Sequence, residues 1–255
     1  MEHKRLNDRV CLVTGASRGI GAAIAGELAE LGARVAVHYG SSESKARAVA
    51  KSLPGRGHFV LQADLADPAA VPGLVDAVCD EAGRLDVLVN NAGIFEPHPP
   101  LSVDREAWLS AWRRTLDINL VAAAALCHAA AAVMAKAERG RIINIGSRGA
   151  FRGEPECPAY GASKAGLHAM SQSLAVALAP AGIQVMALAP GFVETDMAQP
   201  LLDSPAGDAI RAHSPMQRVA TPAEVAATVA WLASGAADFL TGAIIDLNGA
   251  SYLRT

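Results

Sequence analysis

Residues 10–39 read VCLVTGASRGIGAAIAGELAELGARVAVHY. Four apolar residues, Val10–Val13, lead into a turn with glycines at 15, 19 and 21, and a helical pattern follows before a second β-branched run, Arg34–Tyr39. Strand, helix and strand within ~30 residues is the size of a parallel βαβ crossover. Glycines at such a turn let backbone approach a pyrophosphate. The helix start adds unpaired N–H groups and the positive end of the helix dipole. The spacing is G-x-x-x-G-x-G, which differs from the G-x-G-x-x-G dinucleotide fingerprint. The plain alternative is a glycine-rich strand-to-helix turn that holds no ligand.

The same alternation extends through the chain. Strands are expected at Val10–Val13, Arg34–Tyr39, His58–Ala63, Asp86–Asn90, Arg141–Ile145, Gln184–Ala189 and Ala243–Leu247. Several are apolar without interruption, as parallel strands buried on both faces are. Asp67-Pro68 reads as a cap followed by a proline at the first helical position, and Thr221-Pro-Ala-Glu224 adds a capping box. The expectation is an α/β chain forming a single doubly wound Rossmann-type domain over 1–255, with a seven-stranded parallel sheet flanked by helices on both faces. The irregular stretches Gly93–Leu101, Gly146–Pro158 and Gly191–Pro215 each follow a strand. They should therefore emerge at the carboxyl edge of the sheet, where open α/β folds bind ligands.

Composition narrows the function classes. Of 255 residues, 51% are hydrophobic and 18% charged, with a net charge of −3. That excludes a disordered chain and argues against nucleic-acid or anionic-membrane binding, which needs clustered basic surface. Cys11, Cys79, Cys127 and Cys157 lie far apart without a CxxC pair, so reduced thiols are expected, with no disulfide framework and no metal site. No apolar stretch near the start suits a signal peptide. The run Leu120–Ala135 is mostly alanine, contains His128, and falls short of the ~18 apolar residues a span requires. It reads as a buried helix, and a cytoplasmic location follows.

The end of the second strand bears on which dinucleotide binds. It reads His38-Tyr39-Gly40-Ser41-Ser42, with no carboxylate until Glu43. An acidic residue there would accept from the ribose hydroxyls of NAD and repel a 2′-phosphate. Its absence favours NADP over NAD, with Arg18 pairing the phosphate and Ser41 and Ser42 donating to it. Alternatively Arg18 is a solvated charge and the serines cap the next helix. Asp64 can accept from the adenine amine or merely close a local turn. Asn90-Asn91-Ala92-Gly93 can place polar groups beside the adenosine ribose.

Tyr160-Gly-Ala-Ser-Lys164 sets a phenol and an amine at i and i+4 on one helix face, with Ser147 thirteen residues earlier. Hydride transfer to a carbonyl leaves an oxyanion that must gain a proton. A free phenol has a pKa near ~10, and an adjacent ammonium lowers it. Ser147 can donate to the carbonyl as charge develops. Lys164 can also bind the nicotinamide ribose, and Asn119 can hold a water relaying protons. The alternatives are an exposed helix pair, a turn-forming serine and a packing asparagine.

These pieces resemble the short-chain dehydrogenase/reductase family from Val10 to about Tyr252: TGASRGIG, Asp64, NNAG, Asn119, Ser147, YGASK, and Pro190-Gly191 followed by Thr195. The resemblance implies a catalytic tetrad of Asn119, Ser147, Tyr160 and Lys164, with Pro190, Gly191, Val193 and Thr195 at the nicotinamide. It places the rest of the cofactor along Gly15, Ser17, Arg18, Gly19, Ile20, Gly21, His38, Tyr39, Ser41, Ser42, Asp64, Leu65, Asn91, Ala92 and Gly93. It also implies a homotetramer paired through the Leu120–Ala135 helix and the helix after Tyr160.

Within the family the chain is most similar to 3-oxoacyl-(acyl-carrier-protein) reductases and related carbonyl reductases. Those carry basic residues where this chain has Glu138 and Ala181, although Arg139 and Arg141 stand nearby. The expected activity is NADP-preferring interconversion of a small-molecule ketone and a secondary alcohol. The alternatives are an NAD-linked sugar, polyol or hydroxysteroid dehydrogenase, and a non-catalytic dinucleotide-sensing protein. Arg148, Arg152 and His98 in the substrate-side loops can bind an anionic substrate, or stand as solvated loop residues.

Overall fold

The computed structural model describes residues 6–67, 69–196 and 198–254. Strands β1 (Val10–Val13), β2 (Arg34–Tyr39), β3 (Phe59–Gln62), β4 (Val87–Asn90), β5 (Gly140–Ile145), β6 (Ile183–Pro190) and β7 (Ile244–Leu247) form one sheet in the order β3-β2-β1-β4-β5-β6-β7. Every neighbouring pair is parallel. Strand order reverses between β1 and β4, so the connections leaving those two strands diverge and open a crevice at their carboxyl ends.

The helices are α1 (Gly19–Glu30), α2 (Glu43–Ser52), α3 (Val71–Ala82), α4 (Arg105–Leu116), α5 (Ala122–Lys136), α6 (Gly149–Arg152), α7 (Pro158–Leu178), α8 (Gln199–Leu202), α9 (Gly207–Ala212) and α10 (Pro222–Ala233). Alternate strand residues feed two cores. Cys11, Val13, Val35, Val37 and Met186 pack with α1 and α10, while Val10, Leu12, Leu88, Ile142 and Val185 pack with α3 and α5. Burying each such Val, Leu or Ile contributes about 1.5–3 kcal/mol, and a one-residue slip would turn a strand's side chains to the opposite face.

Differences from the expected elements have local causes. His58 stays outside β3 because its ring is committed to backbone: Nδ1 accepts from Val35 N–H at 3.1 Å, and Nε2 lies 2.9 Å from the Pro54 carbonyl. Asp86 precedes β4 because its carboxylate accepts from Val10 N–H at 2.9 Å and from Arg9 and Arg84. Asp67 does not cap α3. Its Oδ1 closes a turn on Ala69 N–H at 3.0 Å, and α3 starts at Val71 followed by Pro72; Pro68 lies outside the described residues. The Thr221–Glu224 capping box forms as expected.

The alanine-rich helix is longer than expected. α4, a π turn at Asp117–Val121 and α5 run on as one helix, Arg105–Lys136, whose most apolar 18-residue window has a mean hydropathy of 1.9. That is long and apolar enough to cross a membrane by length and composition, which corrects the shorter reading. Here Ala122, Leu126, Cys127, Ala130 and Met134 are buried in the core it shares with the sheet. The four cysteines are unbridged, and burial pushes the Cys127 thiol up to about 12 and Cys157 to about 11. Both are protonated and inert at neutral pH.

Candidate active site

The glycine turn is built by backbone crowding. Gly15 has φ +63°, and a Cβ on it would lie 3.0 Å from Ala92 Cα. A Cβ on Gly21 would overlap the Gly15 carbonyl and sit 2.6 Å from Asn91 Nδ2. Asn91 Nδ2 donates to the Thr14 carbonyl at 2.8 Å, while Thr14 Oγ1 accepts from Asn91 and Ala92 N–H at 2.9 and 3.0 Å. Thr14 thus joins the ends of β1 and β4, a role its place beside Gly15 hints at but spacing alone does not assign. Arg18 caps α1 without a side-chain acceptor, which leaves the first-turn N–H groups to an external anion. A cradle that excludes side chains, beside an uncapped helix start, fits a dinucleotide pyrophosphate.

Several expected cofactor residues face inward instead. Gly15 N–H donates to His38 Nδ1 at 3.0 Å, and His38 Nε2 donates to the Ala63 carbonyl at 3.1 Å, so that ring braces the turn from behind. Burial lowers its pKa, keeping it neutral. Tyr39 and Leu65 are core residues. Asp64 Oδ1 accepts from Ala66 N–H at 2.9 Å, which is the local-turn alternative.

Arg18 and Ser41 are exposed, and Ser42 makes no side-chain cap to α2. Ser41, Ser42, Glu43, Ser44, Lys45 and Arg47 line an open groove there. Arg47 pairs with Glu43, leaving Lys45, which the sequence reading passed over, as a second cation beside the serines.

The far wall comes from β6. Pro190 ends the strand, and a Cβ on Gly191 would lie 3.2 Å from Asn248 Cα. Val193 bridges to Ala220. Thr195 Cγ2 is 3.6 Å from where a Gly19 Cβ would stand, so this strip returns to the glycine turn and closes one side of the crevice.

Between these walls lie the four expected reactive residues. Pro158 opens α7, which sets Tyr160 in its first turn and Lys164 one turn on. Lys164 Nζ is buried and donates to the Ile145 carbonyl at 2.8 Å, at the end of β5 and two residues before Ser147. Desolvation lowers Lys164 to about 8. Ser147 Oγ accepts from Gly149 N–H at 2.9 Å.

The Tyr160 phenol departs from expectation. Burial raises its pKa; the nearby Ser147 hydroxyl pulls the other way, and Glu154 adds to the rise. Lys164 Nζ stands 5.7 Å from the Tyr160 ring centre, where it donates to the Ile145 carbonyl. The phenol is therefore neutral at pH 7, the form that can give up a proton. Phe95 meets its ring edge-on at 4.9 Å.

Asn119 lies in the π turn and is buried. Its Oδ1 accepts from Ile94 N–H at 2.8 Å, and its Nδ2 donates to the Ile94 carbonyl at 3.0 Å and to Ser163 Oγ at 3.2 Å. An amide with this many partners anchors the loop after β4. A Cβ on Gly93 would be 3.3 Å from Asn119 Oδ1 and 3.4 Å from Lys164 Nζ, which shows how closely loop, amide and amine converge.

The substrate-side basic residues also differ from the solvated reading. His98 is buried: Nδ1 donates to the Glu96 carbonyl at 2.7 Å, and Nε2 accepts from Ala159 N–H at 3.1 Å, immediately before Tyr160. Arg148 is buried as well, whereas Arg152 is exposed.

A family model described as Enoyl-(Acyl carrier protein) reductase matches residues 15–249. The chain is 41% identical to the cis-4-hydroxycyclohexanecarboxylate dehydrogenase of Sinomonas cyclohexanicum, over 95% of this chain and 96% of that one. It is 39% identical to the 3-oxoacyl-(acyl-carrier-protein) reductase of Escherichia coli strain K12, over 96% and 98%. Among solved structures, a short-chain dehydrogenase from Burkholderia cenocepacia J2315 in complex with NADP superposes with a TM-score of 0.86 at 36% identity, covering 97% and 99% of the two chains. The chain belongs to the short-chain dehydrogenase/reductase family, and is with its relatives an NAD(P)-dependent oxidoreductase acting on CH–OH and C=O groups.

Proposed function

We propose that this protein interconverts a small ketone and a secondary alcohol with a preference for NADP. The observation carrying the reading is the convergence of a neutral, half-buried Tyr160, Ser147 and Lys164 beside the glycine cradle. With a dinucleotide's pyrophosphate at the cradle, its nicotinamide would supply or accept the hydride. Tyr160 gives a proton to the carbonyl oxygen as it becomes an alkoxide. Ser147 donates a hydrogen bond to the same oxygen. Lys164, fixed by Ile145, presents its remaining N–H groups to the ribose and to the phenol's oxygen as charge grows there. Asn119 fixes the loop after β4 beside the amine.

Arg18, Lys45, Ser41 and Ser42 support the NADP preference, because a 2′-phosphate gains two cations and meets no carboxylate at the strand end. A free substrate is favoured over a carrier-bound one. Glu138 and Ala181 stand where the carrier-docking reductases are basic, and Arg141 is tied to Asp238 at 2.7 Å, which leaves it no spare charge for docking an acidic carrier. A homotetramer in a reducing cytoplasm completes the proposal. Exposed Leu109, Val121 and Val176 on the long helices give an apolar pairing surface, and the thiols are unbridged.

A turnover screen of simple ketones, keto acids, sugars and β-ketoacyl thioesters with both nicotinamides tests this. Ketone reduction with NADPH at least tenfold better than with NADH is expected. An NADH preference would favour the sugar, polyol or hydroxysteroid reading, and tight dinucleotide binding without any turnover would favour the sensor.

A further inference from the structure

We infer that the cavity lined by Arg148, the residue next to Ser147, is a subsite for a carboxylate carried by the substrate, with Arg148 as its ligand. This rests on the carbonyl–alcohol chemistry proposed above and names the class of compound it acts on. Arg148 follows Ser147 directly, and its N–H donates to the Pro190 carbonyl at 2.8 Å, which turns the side chain toward the end of β7. The residue is only 4% exposed. Nη1 donates to Ser251 Oγ at 2.6 Å, and the guanidinium stands 5.4 Å from the Phe192 ring centre. No carboxylate among the described residues lies within 4 Å of it.

A buried guanidinium with no counter-ion is costly, and it is retained where an anion completes it. The space for that anion is present. A cavity of about 270 Å³ is walled by Arg148, Phe192, Ser214, Met216, Asn248 and Ser251. Its other charges are already matched. Arg218 grips Glu224 through two bonds of 2.6 and 2.8 Å, and Arg254 donates to Asp246 at 2.8 Å. Arg148 is the cation left over.

Two more basic groups face the same region. Burial disfavours the charged form of Arg148, with the nearby Arg152 charge adding to it, and burial together with the Arg152 and Arg148 charges lowers the pKa of His213. Glu154 is drawn by the charges of Arg148 and Arg152, but burial raises its pKa on balance and it stands beyond ion-pair distance of either arginine. A carboxylate fits the planar donor fork of Arg148, and the apolar walls, Phe192 and Met216, suit the hydrocarbon that joins it to the reacting carbonyl.

The test uses the protein loaded with NADP. Calorimetry gives Kd for cyclohexanecarboxylate, which cannot react, and for the neutral cyclohexanecarboxamide. The carboxylate should bind at least tenfold more tightly. Arg148→Gln should weaken it by about 10- to 100-fold, the size of a lost charge-assisted bond, with Arg148→Lys intermediate. Arg152→Gln, at an exposed position that leaves the fold intact, should weaken it about threefold and decides the matter if the Arg148 variants fail to fold. Equal affinity for acid and amide, or an unchanged Kd in these variants, overturns the inference.

In a second arm, the kcat/KM ratio of 4-oxocyclohexanecarboxylate to its carboxamide should fall at least tenfold in Arg148→Gln. An unchanged ratio counts against the subsite. If no ketone turns over at all, it is the proposed function that fails, and the Kd arm still decides the subsite.

Discussion

Lys164 Nζ donates to the Ile145 carbonyl at 2.8 Å, which pins the amine to the end of β5 and holds it 5.7 Å from the Tyr160 ring centre. The amine is positioned before any ligand arrives, and desolvation brings it to about 8. It loses its charge as pH rises through that value. The kcat/KM of ketone reduction should therefore fall on an alkaline limb near pH 8, well below the titration of the buried phenol. Lys164→Arg, which stays charged, should move that limb upward. A profile flat to pH 9.5 in the wild type contradicts this.

His98 holds the start of the catalytic helix. Its ring Nε2 is the acceptor for Ala159 N–H, and its backbone N–H donates to the Glu156 carbonyl at 2.8 Å, with Trp108 edge-on at 5.5 Å. His98→Ala strands a buried donor next to Tyr160 and should cost about 1–3 kcal/mol of stability. The kcat should drop while KM for NADPH holds. His98→Gln, which keeps an acceptor, should recover most of both in thermal melts and kinetics.

The residues just discussed divide what sequence reading reaches from what it does not. The glycine cradle and the Tyr160–Lys164 pair were legible because each depends on local geometry: a turn that forbids Cβ atoms, and one helical turn between two side chains. That the side chains of His38, Tyr39 and Leu65 turn into the interior is not legible, because β2 and the end of β3 are buried on both sides, and such strands show no alternation that marks the ligand side. Asn119, His98 and Arg148 take their partners from segments 25, 61 and 103 residues away, which no local pattern encodes.

Acid should weaken the fold through His168. This ring is buried and stacked against Phe151, with the Leu188 carbonyl beside it. Burial lowers it from 6.5 to about 4, so between those values the unfolded chain binds the extra proton. Stability is then lost as pH falls from about 6.5 toward 4, by on the order of 3 kcal/mol. The Tm should decline over that range in the wild type, and His168→Phe should flatten the decline.

Arg18 tests the cofactor preference. It is exposed at the start of α1 and makes no side-chain cap. Arg18→Ala should weaken NADPH about tenfold and leave NADH unchanged in fluorescence titrations. Equal losses for both would show that the arginine holds the pyrophosphate instead of the 2′-phosphate.

The account turns on a neutral Tyr160 phenol delivering the proton beside Ser147. Tyr160→Phe removes one oxygen and keeps the ring that Phe95 packs against. Single-turnover reduction of a good ketone substrate, measured together with NADPH affinity, is the direct test. The rate should fall at least a thousandfold with Kd for NADPH within twofold of wild type. A variant that keeps more than a few per cent of the rate would contradict the central claim.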